Sequence, residues 1–345
     1  MKIRLALIGF GSVGREFARL LVSKRDWLSR EKGVDFEVAA IATRTRGSLV
    51  SKGAIDLEQA IRMRQNTGTL TRYGPESTDL STLEIIESSD ANLMVELTTL
   101  NIESGQPAID HIKAAFSAGM SVVTANKGPV AFAYSTLSSM ARLKGVFFRF
   151  EGTVMDGTPV FSFVEKTLPG CEIIGIRGLL NSTSNFILGE MARGKSMREA
   201  LKGAKRLGIT EEDPTMDVDG WDAAAKITAL ANVLMDARSN PNKVDRVGIG
   251  DVTSETVAEA LNKNKRIKLI ASAERIEAEV KTKVHPGIVG PDHIFWSVDG
   301  TSSAISLETD LMGEITIIER NPTLAQTAYA VFSDMLLIVD SIKKG

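Results

Sequence analysis

The chain has one cysteine in 345 residues, Cys171, so neither an intramolecular disulfide nor a cysteine-built metal cage can form, and a reducing compartment is expected. Histidine is almost as scarce: His111, His285 and His293 stand far apart without zinc-like spacing, which speaks against a histidine metal site. The three tryptophans, Trp27, Trp221 and Trp296, read as packing residues. No sign of charge dominates, since 41 Lys and Arg oppose 43 Asp and Glu for a net −2, and no basic block stands out. That balance speaks against nucleic acid or a membrane surface as partner and for a small-molecule ligand. No apolar run reaches the length of about 20 residues that spans a bilayer. The opening MKIRLALIGF has no small-residue cleavage site behind it, so a cytoplasmic protein is expected. What remains is a chain with 43% hydrophobic residues, long enough to bury two cores of ordinary domain size.

The first third alternates short apolar strands with amphipathic helices. Strands are expected over 3–8, 36–42, 93–97, 121–124 and 146–150, and helices over 13–22, 108–118 and 134–143. This alternation predicts an α/β fold with a Rossmann-type doubly wound parallel sheet. Past a glycine-bearing turn at Glu151 to Pro159 the pattern changes. Strands expected over 173–179, 267–271, 278–284 and 314–318, mixed with helices, suit an antiparallel sheet in an α+β domain, and a last helix is expected over 322–342. The predicted division is a dinucleotide-binding domain over 1–150, completed by the C-terminal helix within 320–345, and a second domain over 151–319.

GFGSVG, residues 9–14, follows the first strand and opens the first helix. Gly9 permits the tight turn, Gly11 lets backbone approach a pyrophosphate, and Gly14 lets the helix pack closely. Phe10, Ser12 and Val13 complete the phosphate-facing turn at the helix N-terminus. The second strand runs into Ala42-Thr43-Arg44-Thr45-Arg46, with no acid to accept from a ribose 2′-hydroxyl. Arg44 and Arg46 can fork onto a 2′-phosphate, which favours NADP(H) over NAD(H); a solvated loop would present the same arginines. VELTTLN (95–101) and VVTANKGPVA (122–131) put Thr98, Thr99, Asn126 and Lys127 at the carboxyl edge of the sheet, where ligands of such folds bind.

AKRLGITEEDPTMDVDGWDAAAK, residues 204–226, holds the densest acidic cluster. If 221–235 is helical, Asp222 and Lys226 stand at i and i+4 on one face, with Ala223, Ala224 and Ala225 keeping neighbouring bulk low. An isolated pair of this kind is more often a surface bridge worth about 0.3–0.5 kcal/mol. Here Glu211, Asp217 and Asp222 gather near it and would repel one another unless a cation completes them, either an amino-acid ammonium group or a metal.

Along its whole length this segment resembles the signature of the homoserine dehydrogenases, from Ala204 through Gly208, Asp213-Pro214, Asp217, Gly220 and Asp222 to Lys226. LLNSTSNFIL (179–188), VVTANKGPVA and TDLMGEITIIE (309–319) resemble further stretches of that family, so the likeness covers nearly the whole chain. The resemblance implies reversible, NAD(P)-dependent reduction of L-aspartate 4-semialdehyde to L-homoserine, on the route to threonine, methionine and isoleucine. By motif position it implies Lys226 and Lys127 as acid–base and electrostatic groups, Asp222 orienting Lys226 or the substrate hydroxyl, and Glu211 and Asp217 at the substrate's amino end. EGTVMDGTP (151–159) resembles the family's monovalent-cation loop. Glu151, Val154, Asp156 and Thr158 would then offer oxygens to Na+ or K+, the alternative being a tight turn that needs Gly152 and Gly157. The sequence departs from the family's habit at Met155-Asp156, where small residues are usual. It departs again at Arg320-Asn321-Pro322-Thr323, where many relatives carry a glycine-rich loop. Long relatives add a regulatory domain after the catalytic part, and none is expected within a chain ending at Gly345. The resemblance also implies a homodimer formed through the second, catalytic domain. Two other readings stand beside this one: a related dehydrogenase acting on a different carbonyl, and a non-catalytic NADP(H) sensor, which would have no use for an acid–base lysine.

Overall fold

The computed structural model describes residues 1–210 and 212–344. Its contacts divide the chain into two units, Met1–Val160 with Thr323–Gly345, and Phe161–Pro322.

The first unit alternates strands and helices: β1 (Lys2–Ile8), α1 (Ser12–Lys32), β2 (Asp35–Ala42), β3 (Ser48–Val50), α2 (Leu57–Thr67), β4 (Ser77–Thr78), α3 (Thr82–Ser88), β5 (Leu93–Glu96), α4 (Ala108–Ser117), β6 (Ser121–Thr124), α5 (Lys127–Lys144) and β7 (Phe148–Arg149). The sheet order is β4-β3-β2-β1-β5-β6-β7. β2, β1, β5, β6 and β7 run parallel, and β3 and β4 form an antiparallel edge. Because a parallel sheet is covered on both faces, β5 and β6 are buried along their whole length and β1 from Leu5 to Ile8. One core layer joins Leu5, Leu7, Phe17 and Ile41 to residues 328–339 of the C-terminal helix. The other joins Ile8, Met94 and Val122 to Ile112, Phe116 and Leu137. The strand order reverses at β1, between β2 and β5, the place where open α/β sheets bind ligands beyond the strand ends.

Residues 151–160, grouped with the second domain on sequence, pack here with the first. Two 3₁₀ turns, Glu151–Thr153 and Met155–Gly157, lie against the C-terminal helix, and the Glu151 amide donates to the buried Asp334 carboxylate at 2.7 Å. Gly157, at φ 99°, has no room for a Cβ beside Ala330.

In chain order the second unit continues with α6 (Val160–Thr167), β8 (Ile173–Leu179), α7 (Ser182–Ala192), α8 (Met197–Arg206), α9 (Thr215–Val218), α10 (Trp221–Leu234), β9 (Asp245–Arg246), α11 (Ser254–Asn262), β10 (Arg266–Ile276), β11 (Glu279–Val289), β12 (Ser303–Thr309) and β13 (Gly313–Glu319). The chain then returns to the first unit as α12 (Leu324–Ile342). The sheet order is β13-β12-β8-β10-β11-β9, antiparallel except where the short β9 joins β11. Helices α7 and α10 pack on β10. The buried Ala223, Ala224 and Ala225 let α10 lie close to its neighbours.

Candidate functional site

In the first unit β1 runs directly into the glycine turn. Gly9 sits at φ 100°, its amide donates to Ala42 O at 2.9 Å, and a Cβ there would stand 2.5 Å from Leu97 O. A Cβ on Gly14 would stand 2.5 Å from Gly9 O. Gly9 and Gly14 therefore hold the turn together. Gly11 differs, with nothing within 4 Å of where its Cβ would be, and that open face fits an approaching pyrophosphate. Gly11 caps α1 with no side-chain bond and the first turn carries no acid, so the leading N–H groups and the positive end of the dipole await an anion. Ser12 is exposed and Val13 half-buried, whereas the Phe10 ring is buried in the core, leaving only its backbone to face a ligand.

Arg44 and Arg46 are exposed in the loop after β2, where Thr43 Oγ1 accepts the Arg46 amide at 2.9 Å. The sequence reading missed Arg64 on α2. Burial first, then the Arg15 and Arg46 charges, hold its guanidinium below the usual arginine value, which places three cations in one group. Arg64 donates to Gly68 O, and its buried Nε has no partner. At the sheet edge Thr98 and Thr99 follow β5. Asn126 is buried and accepts the Gly128 amide at 3.0 Å, capping α5, of which Lys127 is the first residue.

The second unit builds its site from side chains. Lys226 Nζ lies 2.9 Å from Asp222 Oδ2 and donates to Leu180 O at 2.7 Å. The two side chains are 13% and 14% exposed, so the pair is sheltered from solvent screening. Asn181, the buried cap of α7, donates from Nδ2 to Asp217 Oδ1 at 2.6 Å and to Asp222 Oδ2 at 2.9 Å. Thr210 Oγ1 donates to Asp217 Oδ2 at 2.8 Å. Asn181, Thr210 and Lys226 thus supply donors to Asp217 and Asp222 from within the chain. Asn181 and Thr210 were not singled out on sequence, although Asn181 before a helix is a capping signal. Glu211 lies outside the described residues. Asp213 turns back on Thr215, whose hydroxyl and amide hold its carboxyl below the usual range.

In the loop 151–158, Glu151 and Val154 are buried and Asp156 and Thr158 half-buried; Met155, Asp156 and Gly157 all have positive φ. Among the described residues no group of three His, Cys, Asp or Glu side chains could hold a metal ion. No helix among them is long and apolar enough to cross a membrane.

Comparison with known proteins agrees with both units. The homoserine dehydrogenase NAD binding domain model matches residues 9–151, and the homoserine dehydrogenase model matches 159–336. A homoserine dehydrogenase of Methanocaldococcus jannaschii is 37% identical over 341 residues, 99% of each chain. An NAD(+)-dependent homoserine dehydrogenase of Pseudomonas canavaninivorans is 33% identical over 98% of this chain and 96% of its own. A hyperthermophilic archaeal homoserine dehydrogenase solved in complex with NADPH superposes with a TM-score of 0.84 at 32% identity, covering 99% of this chain and 98% of that one. With a glycine turn fitted to a dinucleotide and a sheltered lysine–carboxylate pair on the signature helix, the chain belongs to the homoserine dehydrogenases, NAD(P)-dependent oxidoreductases that act on a CH–OH group.

Proposed function

We propose that the catalytic centre of this enzyme uses Lys226, Lys127 and Asp222 to interconvert L-aspartate 4-semialdehyde and L-homoserine with NADP(H), in threonine, methionine and isoleucine biosynthesis. The observation that carries this reading is the fixed Lys226 ammonium, held between Asp222 Oδ2 and Leu180 O. An ammonium has three donors, and two anchors of known direction aim the side chain. When bound, the cofactor supplies hydride to the aldehyde carbon, and charge develops on the carbonyl oxygen. Lys226 stabilises that charge and gives the proton, Asp222 orients Lys226, and Lys127 adds positive potential at the cofactor edge. Asp217, braced by Asn181 and Thr210, holds the substrate's ammonium end together with Glu211.

The preference for NADP(H) is supported by Arg44, Arg46 and the neighbouring Arg15 and Arg64, with no acid at the end of β2. One relative is named NAD(+)-dependent and another binds NADPH, so the preference is a property of each chain's own loops. Glu151, Val154, Asp156 and Thr158 are the proposed oxygen donors to a monovalent cation such as Na+ or K+, since consecutive positive φ values turn carbonyls out of the usual backbone pattern. A homodimer through the second unit is supported by exposed apolar residues on and beside its sheet, among them Ile276, Ile288, Leu311 and Met312. A cytoplasmic setting accords with the single half-buried cysteine.

The deciding assay is NADPH oxidation with L-aspartate 4-semialdehyde beside a panel of other aldehydes and keto acids. Turnover of a different carbonyl and none of the semialdehyde would overturn the substrate assignment. Light scattering on a size-exclusion column should give twice the mass of the 37.2 kDa chain.

A further inference from the structure

The first unit buries a carboxylate that the chemistry above leaves unused. Glu96 is the last residue of β5 and its side chain is fully shielded from solvent. Such burial is costly unless hydrogen-bond donors surround the group. Here the donors are the cofactor edge itself. Thr98 donates to Glu96 Oε1 from its amide at 3.2 Å and again from its hydroxyl. Thr124 Oγ1, at the end of β6, lies 3.2 Å from Glu96 Oε2 and 3.0 Å from Glu96 O. His111 Nδ1 on α4, buried and without a hydrogen-bond partner, stands 3.8 Å from Oε1.

The bonds then close into a ring. Thr124 Oγ1 accepts the Asn126 amide at 3.0 Å, and Asn126 Nδ2 donates back to Thr98 O at 3.1 Å. Lys127 lies between Asn126, a member of the ring, and Gly128, whose amide Asn126 Oδ1 accepts. One carboxylate thus ties the loop after β5 to the loop after β6.

We propose that Glu96 is a positioning residue for hydride transfer: through Thr98, Thr124 and Asn126 it sets where the cofactor-edge threonines and Lys127 stand. The proposal rests on the assignment of Thr98, Thr99 and Lys127 to the cofactor and the reacting carbonyl. A displacement of about 1 Å at such groups is enough to cost up to about 10²-fold in rate. The geometry also says which replacement will serve. A glutamine can accept from Thr98 through its oxygen and donate to Thr124 Oγ1 through its nitrogen, so it preserves the ring; a leucine leaves the Thr98 donors without their carboxylate and the Thr124 hydroxyl with only the backbone carbonyl of residue 96.

The test measures kcat, KM and NADPH affinity for Glu96→Leu, Glu96→Gln, Lys127→Ala and the Glu96→Leu/Lys127→Ala double variant. The proposal expects Glu96→Leu to lower kcat at least about tenfold and Glu96→Gln to recover it to within about threefold. It also expects the double variant to turn over little slower than Lys127→Ala alone, because the effect of Glu96 on kcat runs through the same lysine and its effect on the threonines is read in NADPH affinity. A folded Glu96→Leu with wild-type kcat, or losses that simply multiply in the double variant, would overturn it. Wild-type turnover of Lys127→Ala would sink the assignment of Lys127 and the proposal with it, which separates that failure from one confined to Glu96. If Glu96→Leu does not fold, Thr124→Val takes its place in the same cycle, since it deletes one hydroxyl of the ring and keeps the side-chain shape.

Discussion

Six consecutive residues, Gly9 to Gly14, make the glycine turn of the first unit. The Lys226 corner of the second draws on Leu180, Asn181, Thr210, Asp217 and Asp222. The first presents backbone N–H groups, whose direction follows from φ and ψ once glycines permit the turn. The second presents side-chain charges, whose direction must be imposed by other side chains. The same contrast separates two i,i+4 pairs. Arg62–Glu58 on α2 is 3.4 Å apart with both side chains at least 60% exposed, while Lys226–Asp222 is 2.9 Å apart and sheltered. Equal spacing thus yields a solvated surface bridge in one helix and a sheltered pair in the other, and burial decides between them.

The largest expected effect breaks the side-chain region. Lys226→Ala should lower kcat by ~10²-fold or more while NADPH affinity, followed by fluorescence titration, stays near wild type. Turnover close to wild type would remove Lys226 from the chemistry.

Next come two glycines of the backbone region. Gly14→Ala meets Gly9 O and should lower unfolding stability by about 1–3 kcal/mol. Gly11→Ala enters open space, so it should melt like wild type and bind NADPH more weakly. Equal melting points for the two variants would erase the distinction between a glycine that shapes the turn and one that leaves room for the ligand.

A smaller effect is expected at the adenosine end. Arg44→Ala with Arg46→Ala should weaken NADPH about tenfold relative to NADH, since exposed cations contribute less than shielded ones. Parallel loss of both cofactors would mean that the arginines serve the pyrophosphate or the fold instead.

The effect with the smallest slope per unit of condition changed concerns Lys268, buried on β10 with Nζ donating to Asn185 Oδ1 at 2.8 Å and to Val298 O. Burial is the main cause that pushes it down to about 8 from an ordinary 10.5. Below about pH 8 both states hold the proton; between about 8 and 10.5 the unfolded chain holds it and the folded one does not. Stability should therefore rise with pH across that window, by at most about 1.4 kcal/mol per pH unit, and Lys268→Met should abolish the slope. Denaturant unfolding at several pH values checks it, and a wild-type profile as flat as the variant's would contradict the assignment.

Local pattern read most of the frame. The strands at 121–124 and 173–179 coincide with expectation because each is a mainly buried apolar run with clear ends. The expected strand at 146–150 shrinks to Phe148–Arg149, at the edge of its sheet, where pairing on one side supports fewer residues. The helix expected over 134–143 is the second segment of α5, which breaks at Ala133 (φ −139°, ψ 15°); the segment before it, from Lys127, went unread although Asn126 caps it and Pro129 falls in its first turn, where a missing N–H costs nothing. Helix α2 went unread although Asp56 caps it and Gly68 ends it in the left-handed conformation.

The sequence by itself determined the glycine turn, the strand–helix alternation around it, and the spacing that brings Asp222 and Lys226 onto one helix face, since all three depend on local pattern. Only the tertiary structure decided that Asn181 would bridge Asp217 and Asp222, that Arg64 would join Arg46, and that Glu96 would tie Thr98 to Thr124. These partners are mostly some 20 to 40 positions apart, and no local periodicity encodes a hydrogen bond that forms only after separate elements have packed.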